Sequence, residues 1–401
     1  MPSYIVVLEA SSAVRFDDGE SVTLNAFPTR TGPVAVTWFT RHSPEGFDAP
    51  IPRELLVQVS GDADTLDSAR DEFVEAGRVL TPYLALTANA AIDDPELLLA
   101  FDATPGMESR DFLQALRPTE TGMFRSSRRL DPHLVGSVAI PVLGHAESDR
   151  LHRAVVHYAE ALKAWLPGSH LRVLIHLWMA VEALTKAALR AEVAQRASRD
   201  ALLREWGIER KQLDGEVRRR VIFHGDDDVH DTARTASDAV EHSFENFAAV
   251  QGDAARIRDR FASHIRSAIF EIAGINESIV GQLTSDPYDS PRESFPLSRF
   301  VRGKLTGAGD ALAAPGNPYP RLDWQETIES ISRNPDGSYR VTPTATITPR
   351  LAEGVQFAGG SYEVWGPRQD AATFTGVARK PPDNGSEAVN SDGPRPGPEG
   401  T

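Results

Sequence analysis

Residues 169–188 read Ser-His-Leu-Arg-Val-Leu-Ile-His-Leu-Trp-Met-Ala-Val-Glu-Ala-Leu-Thr-Lys-Ala-Ala, and they carry the clearest structural signal in the chain. The apolar residues recur every three or four positions, which is the spacing of one face of an α-helix. They are Leu171, Leu174, Ile175, Trp178, Val181, Leu184 and Ala188. Pro167-Gly168 ends the preceding segment, and Ser169 is suited to cap the new helix. The stretch therefore predicts a long amphipathic helix with a broad buried face.

The helical period extends on both sides of this stretch. Before it lies a helix whose apolar stripe comprises Leu151, Ala154, Val155, Tyr158, Leu162 and Trp165. After it we expect a helix that precedes His224, another that starts at Asp228 or Asp231, and a last one over about residues 255–272. Five helices with short connections predict an all-α helical bundle for residues 147–275.

Residues 1–145 have a different pattern, which predicts an α+β amino-terminal domain. Short runs rich in β-branched and aromatic residues indicate strands at Tyr4–Leu8, Val22–Phe27, Val34–Phe39, Leu55–Val59 and Leu97–Phe101. A helix is indicated before the last of these strands, with Asp62 or Asp64 as its cap. Its apolar residues are Leu66, Ala69, Phe73, Ala76 and Leu80.

The carboxyl-terminal part of the chain predicts a small β-containing region over residues 281–379. Thr327–Ser332 and Ser338–Thr348 flank the turn sequence Asn334-Pro335-Asp336-Gly337, so we expect a β-hairpin there. Residues 380–401 contain almost nothing apolar, which predicts a disordered tail. The fold class is thus α+β and multidomain: an α+β domain, an all-α bundle, a small β region and a loose tail.

Composition limits the function. The chain has 401 residues, a formal net charge of −15 and no cysteine, which excludes disulfides, thiolate zinc sites and a cysteine nucleophile. Such an acidic chain does not bind nucleic acid over its whole surface, although residues 190–220 carry nine Arg or Lys against six Asp or Glu. The amino terminus has no secretory signal and no run could span a membrane, so we expect a soluble, cytoplasmic protein without membrane contact.

One segment points to chemistry: Arg218-Arg-Arg-Val-Ile-Phe-His224-Gly-Asp-Asp-Asp228. Imidazole titrates near pH ~6.5 and can act as acid or base at neutral pH. Guanidinium presents a fixed fork of donors that suits phosphate oxygens. The plain alternative is an ordinary helix end, because arginines favour the carboxyl end of the helix dipole and Gly225 is a good helix stop.

The central helices resemble the HEPN superfamily of ribonucleases and inactive relatives, within it the Apea-like branch. The resemblance rests on Leu177-Trp-Met-Ala-Val-Glu-Ala-Leu184 and on the Arg-x4-His pattern from Arg219 to His224, followed by Gly225. It implies a homodimer whose paired bundles form a cleft lined by Arg219 and His224. It also implies metal-independent RNA cleavage, in which a 2′-hydroxyl attacks the adjacent phosphate and leaves a cyclic phosphate and a free 5′-hydroxyl. A weaker similarity is to MauJ-type proteins of methylamine-utilisation operons, from which we infer no amine chemistry.

The sequence departs from the family pattern at two positions. Arg220 stands where a small polar residue is usual, and it rivals Arg219 as the partner of His224. In an α-helix a separation of four residues places side chains about 40° apart, whereas five gives about 140°. Asp226 stands where toxin-type members that a nucleotidyltransferase modifies carry Tyr, so that mode of regulation is in doubt.

Other polar residues allow two interpretations each. Glu182 either orients an arginine across the bundle or pairs with Lys186 one helical turn away. The polar residues His224, Asp226, Asp227, Asp228, His230 and Asp231 suggest a metal site, but consecutive acids more often cap a helix. We therefore expect neither a metal nor another cofactor.

Two functional hypotheses remain. The first is a metal-independent endoribonuclease that acts in phage defence or stress response. The second is a non-catalytic dimerisation or partner-binding module with a sensing amino-terminal domain.

Overall fold

A computed structural model of the protein describes residues 2–43, 51–105, 109–115, 127–166, 168–241, 247–292, 298–309, 321–335, 339–365 and 388–390. The chain forms two compact units. The first comprises Met1–Arg41 and Pro52–Phe295, and the second comprises His42–Ile51 and Pro296–Thr401. The boundary that the sequence indicated between residues 145 and 147 lies within the first unit.

The first unit contains a six-stranded sheet, which confirms the α+β class. The strands of this unit are β1 (Ser3–Ala10), β2 (Val14–Arg15), β3 (Ser21–Pro28), β4 (Pro33–Ser43), β5 (Ile51–Asp62), β6 (Glu96–Asp102), β7 (Phe112–Gln114) and β8 (Arg128–Arg129). The sheet has the order β3-β4-β5-β1-β6-β7, and the central strand β1 pairs antiparallel with both β5 and β6. All five strands expected from the sequence are present. β2 and β8 form a separate short parallel pair.

Helix α1 (Leu66–Ala88) covers one face of this sheet. In β1 every second residue is buried, which is the pattern of a strand with one face against the core. Gly77 allows a close approach, because a Cβ there would lie 2.5 Å from Leu8 Cδ1. The expected cap at Asp62 or Asp64 is wrong: the helix is capped by Thr65, which is extended and whose hydroxyl accepts a hydrogen bond from the Ser68 amide at 3.1 Å.

The remaining helices follow in chain order. They are α2 (Pro132–Gly144), α3 (Ser148–Lys163), α4 (His170–Ala194), α5 (Arg199–Trp206), α6 (Leu213–Val217), α7 (Asp227–Glu241), α8 (Phe247–Ile272) and α9 (Glu277–Leu283). Helices α3, α4, α7 and α8 correspond to four of the five expected helices. The fifth, before His224, is broken into α5, a 3-10 turn at Arg210–Gln212, α6 and a π-helical turn at Arg218–Ile222. Among the described helices, none has the length and apolarity to cross a lipid bilayer.

The end of α1 ties the sheet to the helices. The Tyr158 hydroxyl on α3 donates to Asn89 Oδ1 at 2.7 Å, and Arg266 on α8 donates to the carbonyls of Leu86 and Thr87 at 2.9 and 2.7 Å. Both contacts are buried and join residues far apart in sequence. The buried apolar residues of the sheet, α1 and the later helices form one continuous core.

The second unit consists of strands β9 (Ser298–Thr306), β10 (Arg321–Arg333), β11 (Tyr339–Arg350), β12 (Gln356–Trp365) and β13 (Ala388–Asn390). β10 and β11 pair antiparallel with Arg333 opposite Tyr339, which confirms the expected hairpin. Residues 336–338 of its turn lie outside the described residues. β12 pairs with β9, and β13 pairs with β11. The predicted disorder after residue 380 falls outside the described residues, apart from those of β13.

Candidate active site

The turn that presents His224 is not an ordinary helix end. The amide of Phe223 donates to the carbonyl of Arg218 at 2.9 Å, and the amide of Gly225 donates to that of Arg219 at 2.9 Å. These bonds span five and six residues instead of the four of an α-helix, and they widen the last turn into a π-helical turn. His224 itself adopts φ 52°, a left-handed conformation that costs a residue other than glycine about 1–2 kcal/mol. Widened turns and strained residues of this kind are frequent at functional sites.

Phe223 holds the strained turn in place. Its ring is fully buried and packs on Phe261 with centroids 5.3 Å apart. His230 and His264 meet the same ring at 5.4 and 6.0 Å, both in edge-on geometry. Burial of an aromatic side chain contributes on the order of 2–3 kcal/mol, which is enough to offset the backbone strain at the next residue.

Four side chains form a continuous chain of hydrogen bonds at this turn. His224 Nε2 lies 3.0 Å from Glu271 Oε1, and its Nδ1 lies 3.3 Å from Nδ1 of His264. Nε2 of His264 lies 3.2 Å from Asp226 Oδ2. The order is therefore carboxylate, imidazole, imidazole, carboxylate. His224 is 35% and Glu271 57% exposed, so one end of the chain is open to solvent.

The hydrogen bonds among these four side chains determine how many protons the two imidazole rings carry. Three hydrogen bonds join the four ring nitrogens and the two carboxylates, and each bond needs one proton. When both carboxylates are ionised, all three protons must lie on ring nitrogens. Two neutral imidazoles carry only two protons, so one ring must be an imidazolium. The hydrogen bond that His224 donates to Glu271 raises the pKa of His224 despite partial burial, whereas burial above all lowers the pKa of His264. His224 is the ring that carries the charge.

Asp226 is the carboxylate at the buried end of this hydrogen-bonded chain, where it accepts from His264. Burial opposes its ionisation, but hydrogen bonds from the Val229 amide and from His264 keep the pKa of Asp226 below its ordinary value. Oδ1 of Asp226 accepts from the Val229 amide at 3.1 Å and so caps α7, a role that the sequence had assigned to Asp228 or Asp231. Arg260 lies 3.1 Å from the other oxygen.

Neither predicted arginine has a hydrogen bond to His224 within the described residues. Arg219 pairs with Glu216 at 2.9 Å and with Asp227 at 3.1 Å. Arg220 pairs with Glu216 at 2.7 Å, and its guanidinium lies 5.1 Å from the centroid of the Trp206 ring. The α-helical spacing that favoured Arg220 does not apply, because the turn is π-helical and His224 has left the helix.

Glu182 is not part of this site. It is exposed on α4 and forms no hydrogen bond or ion pair with any described residue. The alternative pairing with Lys186 is not observed, because that ammonium contacts both carboxylate oxygens of Asp214 on α6, at 2.6 and 2.9 Å. The alternative role, orientation of an arginine, is likewise not realised in this structure.

Sequence reasoning missed the two residues that α8 contributes, His264 and Glu271. They are seven positions apart, so they lie on one face of the helix two turns from each other. That spacing is the only local signal, and nothing in it points to His224. Arg260 is one turn before His264 and Arg256 one turn earlier; the Asp228 carboxylate binds both guanidiniums.

The acidic loop binds protein cations in this structure. His230 is buried, and its Nδ1 lies 2.9 Å from Asp231. Over the described ranges, no group of three or more His, Asp or Glu side chains is arranged to hold a metal ion.

Comparison with protein-family models, curated proteins and solved structures finds no match to this chain. The HEPN resemblance therefore remains a prediction from the sequence.

Proposed function

We propose that this protein is a metal-independent endoribonuclease in which His224 transfers a proton and His264 positions it. One observation carries the proposal: two imidazoles in hydrogen-bond contact, closed by a carboxylate at each end and open to solvent at His224. Such a chain holds a titratable ring in a fixed orientation and a defined charge state.

Cleavage by attack of the 2′-hydroxyl requires a proton for the departing 5′-oxygen. The His224 imidazolium is suited to supply it, because the hydrogen bond to Glu271 raises the pKa of His224 and so favours its protonated form. The Glu271 carboxylate, in contact with the same ring, accepts the proton of the attacking 2′-hydroxyl. It then passes that proton to the neutral His224 ring, which restores the imidazolium–carboxylate pair for the next turnover. His264 and Asp226 hold the ring from the buried side, as a carboxylate holds the histidine of a catalytic triad.

Negative charge develops on the phosphate during this reaction, and guanidinium groups lie around the site. Arg260 is 50% exposed and Arg219 is 34% exposed. Arg260 contacts Asp226, the carboxylate at the buried end of the imidazole chain. Arg219 contacts Asp227, the next residue in the sequence. RNA phosphates would compete with these carboxylates for the guanidiniums. RNA as ligand, a homodimer cleft and a cytoplasmic location belong to this proposal.

A second function has its own supporting observation. Arg219 and Arg220 share Glu216, and Arg219 also binds Asp227, so both candidate cations form ion pairs within the protein. A site with paired cations suits a non-catalytic bundle that dimerises or docks a partner. In that case loss of His224 alters stability or partner binding and no nucleic-acid chemistry.

The test uses purified full-length protein and single-stranded RNA in EDTA. His224→Asn removes the titratable ring and keeps a residue type that tolerates the left-handed conformation. His133→Asn, at an exposed histidine of α2, is the control. We expect cleavage by the wild type and the control and about a hundredfold or greater loss in His224→Asn. Equal cleavage by all three proteins, or none by the wild type, would reject the nuclease and leave the binding module.

A further inference from the structure

Two buried arginines, Arg128 and Arg266, donate hydrogen bonds to backbone carbonyls at the end of α1. They differ in how many of their guanidinium nitrogens have hydrogen-bond partners. Arg266 uses all three nitrogens. Its Nε and Nη2 donate to the carbonyls of Leu86 and Thr87, and its Nη1 donates to those of Leu283 and Tyr288 at 2.5 and 3.0 Å. This arginine is fully explained as a cation that closes the negative end of a helix.

Only one of the three guanidinium nitrogens of Arg128, Nη1, donates hydrogen bonds to described residues. Its side chain is 7% exposed, and Nη1 donates to the carbonyls of Ala88, Asn89 and Ser290 at 2.7, 3.0 and 3.1 Å. Nε is buried and has no hydrogen-bond partner. Nη2 also has none among the described residues. Nε and Nη2 form one edge of the guanidinium, with two parallel N–H groups that point the same way.

The surroundings of Arg128 are positive. Burial above all, and then the charges of Arg292 and Arg266, lower its pKa to about 10. The pKa of Arg292 is lowered in turn by burial and by the charge of Arg15. Tyr288 and Asp289 oppose these charges to a smaller extent, and no described carboxylate forms an ion pair with Arg128. Burial destabilises a cation that has no counter-charge, so such an arrangement favours the binding of an anion.

We propose that the Nε–Nη2 edge of Arg128 binds an oxyanion, the phosphate or carboxylate group of a small molecule, with the positive charge of Arg292 adding to the attraction. A side-on pair of N–H donors matches two oxygens of either group. The three carbonyls on Nη1 fix the guanidinium before the ligand arrives, which lowers the entropy cost of binding. This site is separate from the His224 chain and does not depend on RNA cleavage.

Isothermal titration calorimetry of the full chain tests the site, with inorganic phosphate and acetate as probes at constant ionic strength in chloride. We expect saturable binding at one site per chain for at least one probe. Phosphate alone would identify a phosphate site and acetate alone a carboxylate site. Arg128→Lys, which keeps the charge but loses the fork, abolishes binding.

Two further variants keep the test decisive if Arg128→Lys does not fold. Arg292→Gln, whose main-chain hydrogen bonds to Asn89 and Ala91 are unaffected, weakens binding about tenfold. Arg129→Gln is the matched control, because that neighbouring guanidinium is exposed and pairs with Asp17 and Glu20. Binding of neither probe by the wild type, or equal binding by Arg292→Gln and Arg129→Gln, would overturn the proposal.

Discussion

His264 lies one hydrogen bond from His224, with their Nδ1 atoms 3.3 Å apart. Such a contact forms only when one ring carries a proton at Nδ1 and the other presents a lone pair. The carboxylates at the outer ends then decide which ring is charged. Glu271 is the more exposed carboxylate and its partner His224 the less buried ring, so the imidazolium lies at the solvent side.

This arrangement predicts how stability depends on pH. The pKa of His224 is raised in the folded protein, so its ion pair with Glu271 contributes stability below about pH 6.5, and the contribution is lost as pH rises through the folded value. Glu271→Gln should therefore lower the free energy of unfolding more at about pH 6 than at about pH 9. Urea denaturation at both pH values measures this, with Glu75→Gln on α1 as control. An equal loss at both pH values would contradict the assignment.

Removal of the Arg266 guanidinium should be strongly destabilising. Arg266→Met leaves the carbonyls of Leu86, Thr87, Leu283 and Tyr288 without their donors, and we expect a loss of about 3–5 kcal/mol in the free energy of unfolding. The partly exposed Arg70 on α1 provides the control, because Arg70→Met should stay within about 0.5 kcal/mol of the wild type. A loss below about 1 kcal/mol for Arg266→Met would show that other donors replace the guanidinium.

Two helical glycines should respond to alanine with opposite signs. A Cβ at Gly77 of α1 would meet Leu8 Cδ1 at 2.5 Å, so Gly77→Ala should cost about 1–3 kcal/mol by overpacking the interface with the sheet. A Cβ at Gly136 of α2 meets nothing within 4 Å, so Gly136→Ala should gain about 0.5–1 kcal/mol of helix stability. Chemical denaturation of the pair measures both signs, and equal effects would refute the close packing of α1 on β1.

The ion pairs of Glu216 predict a gain in RNA affinity. Glu216→Gln removes the carboxylate that both Arg219 and Arg220 contact, so their charges become more accessible to phosphate. We expect the Kd for a short RNA, measured by fluorescence anisotropy in EDTA, to fall about threefold, as suits an exposed pair. Glu209→Gln releases only the exposed Lys211 and should leave the Kd unchanged. Weaker binding by Glu216→Gln would favour the non-catalytic module.

The local sequence pattern predicted most of the secondary-structure elements, whereas the residues around His224 are brought together by tertiary contacts. Periodicity located five of the six strands of the first sheet, missing the short β7, and it located helices α3, α4, α7 and α8 and the hairpin of β10 and β11. It could not show that α8 brings His264 and Glu271 to His224, because that contact joins residues 40 and 47 positions apart. It also treated the turn before His224 as α-helical. The π-helical turn is stabilised by buried Phe223, whose partners lie elsewhere in the chain.

The buried arginines show the same limit. Arg128 and Arg266 are ordinary charged residues in the sequence, and their burial follows from the carbonyls that α1 presents at its end. The cap of α1 was misassigned for a related reason. Asp62 is the last residue of β5, so it cannot start the helix, and Thr65 is the residue that is extended at the helix start.

The chemical groups at the ends of the RNA products distinguish a ribonuclease that uses His224 from the non-catalytic module. RNA of defined sequence, labelled at its 5′ end, is incubated with the wild type, His224→Asn and His264→Asn in EDTA, and the products are resolved by mass spectrometry. We expect fragments with a cyclic phosphate and a free 5′-hydroxyl from the wild type, none from His224→Asn and a reduced amount from His264→Asn. Fragments that carry a 5′-phosphate, or cyclic-phosphate fragments formed equally by His224→Asn, would contradict it.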